Sequence, residues 1–217
     1  MDELSVAQRI AVWSVPVLFA ITVHEVAHGW VAKQFGDRTA FQLGRLTLNP
    51  IKHIDPIGTL LVPGILMIAG GFIFGWAKPV PVVMRNLRNP RRDMMLVAVA
   101  GPFANLLMAI LWAIVMKISY WLAVDYAWIG VPLIYMAGAG ISINILLLIL
   151  NLLPIPPLDG GRILAGLLPV QIAVKYESVE RYGLLIMIGL LISGILAKVM
   201  LPPVYAIQQV LYNIFGL

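Results

Sequence analysis

The sequence predicts an all-α polytopic membrane protein. About four to six transmembrane helices are expected, with a re-entrant segment and a short β-strand or hairpin element near the cytoplasmic side. Three observations carry this reading. Hydrophobic residues make up 61% of the 217 residues and charged residues only 12%, about half the roughly 25% charged share of soluble domains. Mean hydropathy is +0.94. Several uncharged runs reach the roughly 20 residues that a helix needs to cross a hydrocarbon core of about 30 Å. Residues 1–217 read as one membrane-embedded domain, without internal repeat, low-complexity tract or soluble second domain.

The first predicted span is Ile10–Val31. The acidic start Met1-Asp2-Glu3-Leu4 lacks the basic region of a secretory signal, so the helix is expected to be retained. Pro16 predicts a kink. Lys33, Arg38, Arg45 and Lys52 follow it and outnumber Asp37 and Asp55. This places the loop in the cytoplasm and the N-terminus outside. Within the loop, Phe41–Leu48 alternates in part, which predicts the short strand or hairpin. Asn49-Pro50 and Asp55-Pro56 are turn signals.

Ile57–Val83 is apolar but broken by Pro63, Gly64, Gly70, Gly71, Gly75, Pro79 and Pro81. Its far flank carries Lys78, Arg85, Arg88, Arg91 and Arg92, so both flanks are basic. A complete crossing would put those charges outside, against the positive-inside rule. A re-entrant segment resolves the conflict, because irregular backbone is tolerated at depth when protein or a cavity surrounds it.

Met94–Met116 is expected to run outward. Tyr120, Trp121, Tyr126 and Trp128 form an aromatic belt at its outer end. Tyr126–Leu153 returns inward and ends in Asn151-Leu152-Leu153-Pro154-Ile155-Pro156-Pro157-Leu158-Asp159-Gly160-Gly161. Those prolines cannot continue a regular helix, so the chain unwinds there. Arg162, Lys175 and Arg181 put Asp159 at the cytoplasmic side. Tyr182–Ala197 is expected to cross outward. After Pro202-Pro203, the tail Val204–Leu217 with Gln208, Gln209 and Asn213 reads as an interfacial helix.

The chemistry concentrates in the first span, at His24-Glu25-Val26-Ala27-His28. Helix positions four apart share a face, so His24 and His28 can grip one metal ion. Glu25 sits where a general base would act on the attacking water. Chargeable groups in hydrocarbon cost about 2.5–3.5 kcal/mol each on insertion scales and by default mark function. The sequence has no cysteine, so disulfides and thiolate metal ligands are excluded and imidazole and carboxylate remain. Two histidines leave a catalytic zinc one protein ligand short. His53 reads as a polar loop residue. Asp159 is the better third ligand, since its depth, derived separately, matches that of His24 and His28. The blander reading of Asp159 is an ion pair with Arg162 or a turn cap. Asn105 and Asn144 are amides within spans. Helix–helix hydrogen bonding accounts for Asn144, and a site-shaping role is assigned to Asn105. The net charge of +5 is read as cytoplasmic loops, and no nucleic-acid partner is expected.

Three motifs in this order carry a resemblance. His24-Glu25-Val26-Ala27-His28-Gly29-Trp30, Gly101-Pro102-Phe103-Ala104-Asn105, and Asn151 through Gly161 resemble the site-2 protease family of intramembrane zinc metalloproteases. The stretches from Gly44 to Gly64 and from Phe74 to Val82 resemble its compact prokaryotic branch, without the PDZ or CBS domain that many members carry. The resemblance implies His24, His28 and Asp159 as ligands of one zinc ion and Glu25 as the catalytic acid/base. It implies Asn151, with Asn105 beside it, as candidates for holding substrate or the developing oxyanion. It also implies transmembrane protein substrates, a lipid bilayer as the setting, and a prokaryotic plasma membrane with the site toward the cytoplasm. The rival reading is a non-proteolytic ion- or metal-binding transporter. That would spread polar residues along a pathway between paired repeats, whereas here they cluster at one level.

Overall fold

The structure, a computed structural model, describes residues 5–61 and 78–217. Four helices in it are long and apolar enough to cross a bilayer. The first, α1, is Val6–Gln34. Ser5 starts it with a reciprocal cap: Gln8 N donates to Ser5 Oγ (3.3 Å) and Ser5 N to Gln8 Oε1 (2.9 Å). Gly36 ends it at φ +111°, a conformation glycine adopts without steric penalty. Asp37 N then closes on Ala32 O at 3.0 Å.

After the short helix α2 (Thr39–Gln42), a 3₁₀ turn at Pro50–His53 and a π turn at Pro56–Leu61 follow. The bulk of the expected re-entrant segment, residues 62–77, lies outside the described residues. The chain is described again from Lys78 and runs without helix or strand to Val83, whose backbone is extended. A 3₁₀ turn at Met84–Asn86 leads into α3 (Pro90–Asp125). Proline at the first helical position suits the start of α3. Asp93 Oδ2 accepts from Asn89 N there at 2.7 Å.

A break at Tyr126 leads directly into α4 (Ala127–Leu152). The irregular loop 153–158 follows, then α5 (Asp159–Leu167), α6 (Val170–Glu177) and a 3₁₀ turn at Ser178–Tyr182. The chain ends with α7 (Gly183–Ile192) and α8 (Ile195–Phe215).

The helices α3 and α4 form the most extensive pair, α1 packs on both, and α8 packs along α4. Small residues permit this closeness. Ala109, Ala113 and Ala137 interleave with Ile141 and Ile145, and Val204 and Leu211 of α8 join them. A Cβ on Gly140 would lie 2.3 Å from the Trp112 ring. Trp121 and Trp128 stay exposed at the α3–α4 corner, as interfacial anchors do.

Two expectations are corrected. Among the described residues there is no β-strand; the partly alternating stretch from Phe41 to Leu48 forms the end of α2 and turns. Gly44 at φ +63° breaks the extended run. Its Arg45 neighbour is drawn to the 78–83 segment, with Nη2 donating to Lys78 O at 2.9 Å.

The expected last span is also built differently. Tyr182–Ala197 is not continuous, because Gly194 at φ +72° divides it into α7 and α8. The long apolar helix is Ile195–Phe215, which carries Pro202 and Pro203 inside it. The tail packs on the bundle through Val204 and Leu211. Gln208 Nε2 donates to Ser142 Oγ of α4 at 3.2 Å, and Lys117 Nζ of α3 to Gly216 O at 3.2 Å. Ser142 thus takes up Gln208, while Gln209 Nε2 donates to Asn213 Oδ1 at 3.1 Å on the exposed face of α8.

Candidate active site

Helical periodicity brings His24 and His28 together, with their Nε2 atoms 3.0 Å apart. Both face α3 at Gly101. A Cβ there would lie 2.4 Å from His28 Nε2 and 2.6 Å from His24 Cε1, so only glycine leaves room for the rings. The outer nitrogens are held by α3 as well. His24 Nδ1 lies 2.6 Å from Asn105 Oδ1, and His28 Nδ1 lies 2.7 Å from Val97 O. Pro102 withholds the donor that Ala98 O would normally receive, and Val97 belongs to that same loosened turn.

These partners place a proton on Nδ1 of both rings. Val97 O can only accept, so His28 Nδ1 donates. Asn105 Nδ2 donates to Ala20 O (3.3 Å) and to Asn144 Oδ1 (3.0 Å), which orients the amide. Its Oδ1 therefore faces His24 and accepts from Nδ1. In the neutral rings both Nε2 lone pairs point inward, the arrangement that metal-ligating histidines adopt. Asn144 Nδ2 closes the chain on Gly140 O at 2.8 Å. Asn105 is thus fully buried and serves to orient His24.

Asp159, the first residue of α5, brings its carboxylate to the same point. Its Oδ2 lies 3.2 Å from His24 Nε2 and 3.2 Å from His28 Nε2. The loop before it is compressed to deliver it there. A Cβ on Gly160 would lie 2.3 Å from Leu153 O, and one on Gly161 would lie 2.7 Å from Pro156 N. Tyr176 Oη steadies the loop from α6 by donating to Pro154 O at 2.8 Å. The two glycines after Asp159 are therefore required by contact distance.

All three side chains are buried, and Asp159 Oδ2 receives no hydrogen bond from the described residues. Two inward lone pairs and a buried carboxylate repel one another unless a proton or a metal cation lies between them. A tetrahedral ion with bonds of about 2.0–2.2 Å separates its ligand atoms by roughly 3.3 Å, close to the 3.0 Å and 3.2 Å separations here. The donor set fits such an ion.

Glu25 lies next to this cluster on α1, and its Oε2 accepts from the backbone N–H of Val80 at 2.7 Å. His53 is buried but does not join the cluster. Its Nε2 lies 2.9 Å from Thr47 O, consistent with a loop-tying role. Asn151, half-buried near the end of α4, donates from Nδ2 to Leu147 O of its own helix at 3.0 Å. Arg162 is exposed, and the Asp159 carboxylate is turned to the histidines instead.

Three contributors have no signal in the sequence taken alone: the Val97 carbonyl, the Val80 N–H and the empty Cβ position of Gly101. Gly101 and Val80 fall inside stretches that carry the family resemblance, but neither the missing side chain nor the backbone N–H is marked there as part of the site.

A helical membrane protein with a buried His–His–Asp cluster and an adjacent glutamate defines a class of membrane metalloprotein. The signature of Peptidase family M50 matches residues 12–131 and 125–194, and the chain belongs to that family. It is 37% identical to "Putative zinc metalloprotease YwhC" of Bacillus subtilis over 210 residues, covering 93% of this chain and 90% of that one. It is 31% identical to "Putative zinc metalloprotease Rip2" of Mycolicibacterium smegmatis over 181 residues, 83% of this chain and 66% of the relative. With Rip2 of Mycobacterium tuberculosis H37Rv the identity is 32% over 143 residues, 66% of this chain and 52% of the relative. No solved structure matches the chain significantly.

Proposed function

We propose that the chain is an intramembrane zinc metalloendopeptidase that hydrolyses peptide bonds in or near the transmembrane segments of membrane-protein substrates. The observation that carries this reading is the meeting of His24 Nε2, His28 Nε2 and Asp159 Oδ2 beside Glu25. In this reading the first three hold one zinc ion. When bound, that ion supplies Lewis acidity, which polarises a carbonyl and makes water a better nucleophile.

The protein's own groups supply the proton handling. Glu25 takes a proton from the attacking water and returns it to the leaving amine. Its Oε2 is tied to Val80 N–H, which leaves Oε1 to carry the proton. Asn105 and the Val97 carbonyl keep the two imidazoles in the Nδ1–H tautomer, so the basic nitrogens stay inward. Asn151 is the candidate donor to the developing oxyanion, which requires its amide to leave Leu147 O.

Hydrolysis at this depth requires water, and a helical substrate must be unwound to expose a peptide bond. The re-entrant reading of residues 57–83 meets both needs. In its support, Lys78 N donates to His53 O at 2.9 Å, so the intervening stretch starts and ends at one level. The run after it is the candidate surface for holding an unwound substrate. The basic loops support placing the site toward the cytoplasm of a prokaryotic plasma membrane.

The test is cleavage of a transmembrane peptide by purified wild type and Glu25→Gln, with bound zinc measured in both. Stoichiometric zinc in both proteins and loss of cleavage in the variant is the expected result. Equal cleavage, or wild type without zinc, overturns the reading.

A further inference from the structure

We propose that Asp37 is a positioning residue for the general base. It sets the register of the strap Lys78–Val83 so that the Val80 N–H meets Glu25. The inference rests on the reading of Glu25 as that base.

Asp37 is a buried carboxylate, 1% exposed, in the turn just after α1. Its Oδ2 accepts from Val83 N at 2.6 Å. Its Oδ1 accepts from Thr39 N at 3.0 Å, from the Thr39 hydroxyl, and from Asn86 Nδ2 at 3.1 Å. Three of these donors follow from two neighbouring turns, but the Val83 bond reaches across to the strap. Burying a charge is costly unless it is fully hydrogen-bonded, and here the bonds fix one particular backbone register.

The same strap is held at its middle by Glu25. Val80 N donates to Glu25 Oε2 at 2.7 Å, and only Pro81 and Val82 separate this donor from the one that Asp37 binds. Prolines at 79 and 81 carry no N–H, so Val80 is the sole backbone donor between Lys78 and Val82. A slip of one residue would therefore present a proline to Glu25 and leave the carboxylate without its donor. Gly29 lets the strap lie close to α1: a Cβ there would sit 2.7 Å from Val80 Cγ1 and 2.5 Å from Leu46 Cδ2. The near end is fixed by Lys78 N on His53 O and by Arg45 Nη2 on Lys78 O. Asp37 fixes the far end. Between them the Val80 N–H has one place to point, and it holds Glu25 Oε2 so that Oε1 is presented to the reacting water.

The experiment uses the full chain with its zinc, comparing wild type with Asp37→Asn. Hydrogen exchange of the Val80 amide is followed by selective ¹⁵N-valine labelling, alongside kcat, KM and bound zinc. The expected result is faster exchange at Val80 and a fall in kcat of roughly tenfold to a hundredfold, with KM and zinc unchanged. Unchanged exchange at Val80, or a loss confined to KM or to zinc content, overturns the inference. If Asp37→Asn fails to accumulate in the membrane, an amide-to-ester replacement at Val83 removes the donor and leaves Asp37 in place, and the same outcomes decide. An active Glu25→Gln variant would overturn the base reading and this inference together. Wild-type exchange in Asp37→Asn would overturn this inference alone.

Discussion

Gly101 lacks a side chain where two imidazole rings occupy the space. A methyl group there would lie within 2.6 Å of both histidines, in the interior of the α1–α3 contact. Neither backbone can retreat without opening the bundle, so Gly101→Ala must displace the rings. Overpacking of this kind costs about 1–3 kcal/mol. Because the displaced groups are the nitrogens proposed to hold the metal, the cost is expected to fall on metal affinity. Gly101→Ala should bind zinc roughly 10- to 100-fold more weakly in competition with a chelator, while still inserting in the membrane. Wild-type affinity would show that the rings do not need the space. Asn105 acts at the same scale: one buried amide orients His24, caps Ala20 O and joins Asn144.

At the scale of elements, the segments that carry the chemistry are each delivered by an irregular neighbour. The compressed loop 153–158 delivers Asp159 at the start of α5, and the strap Lys78–Val83 delivers the Val80 donor to α1. Asp37 anchors the strap, and burial pushes its carboxyl up. The hydrogen bonds from Thr39, Val83 and Asn86 outweigh burial and hold it below the usual carboxylate range. A carboxylate with a depressed folded pKa stabilises the fold above its unfolded pKa of about 3.9, and the contribution is lost as pH falls through the lower folded value. At pH 7 Asp37→Asn should therefore be less stable than wild type by about 1–3 kcal/mol. The gap should narrow below about pH 4. Thermal unfolding in detergent across pH 3 to 7 measures it, and a gap that does not depend on pH would contradict the assignment. The strap is legible in sequence only as a stretch broken by Pro79 and Pro81. Its attachment points are not, because a backbone N–H carries no label that names its acceptor.

For the whole molecule, the order of the helices fixes which loops share a side. The turn after α1 and the α5–α6 region belong to one side, and the α3–α4 corner to the other. The C-terminal end of α8 joins that corner through Lys117 and Gly216. The chain has no cysteine, so single cysteines report directly. Arg38→Cys and Arg162→Cys should react with a membrane-impermeant maleimide only in inside-out vesicles. Trp128→Cys and Leu217→Cys should react in intact cells. Labelling of Leu217→Cys from the same side as Arg162→Cys would show that α8 does not cross.

Much of this architecture was legible locally. Uninterrupted hydropathy located α1, α3 and α4, and their charged flanks gave a direction. The four-residue spacing of His24 and His28 set the two imidazoles on one face, and the proline-rich break before Asp159 marked a second polar point at matching depth. Each is a property of a short window, so composition and period suffice to read it. The division of residues 182–197 into two helices is not legible in the sequence for the converse reason. One left-handed glycine, Gly194, divides a uniformly apolar run, and hydropathy does not register a dihedral angle. The meeting of Asp159 with the histidines, the orientation of His24 by Asn105, and the hold of Val80 on Glu25 were decided only by the tertiary structure. Each depends on which backbones approach within contact distance and which polar groups are left to pair once they do.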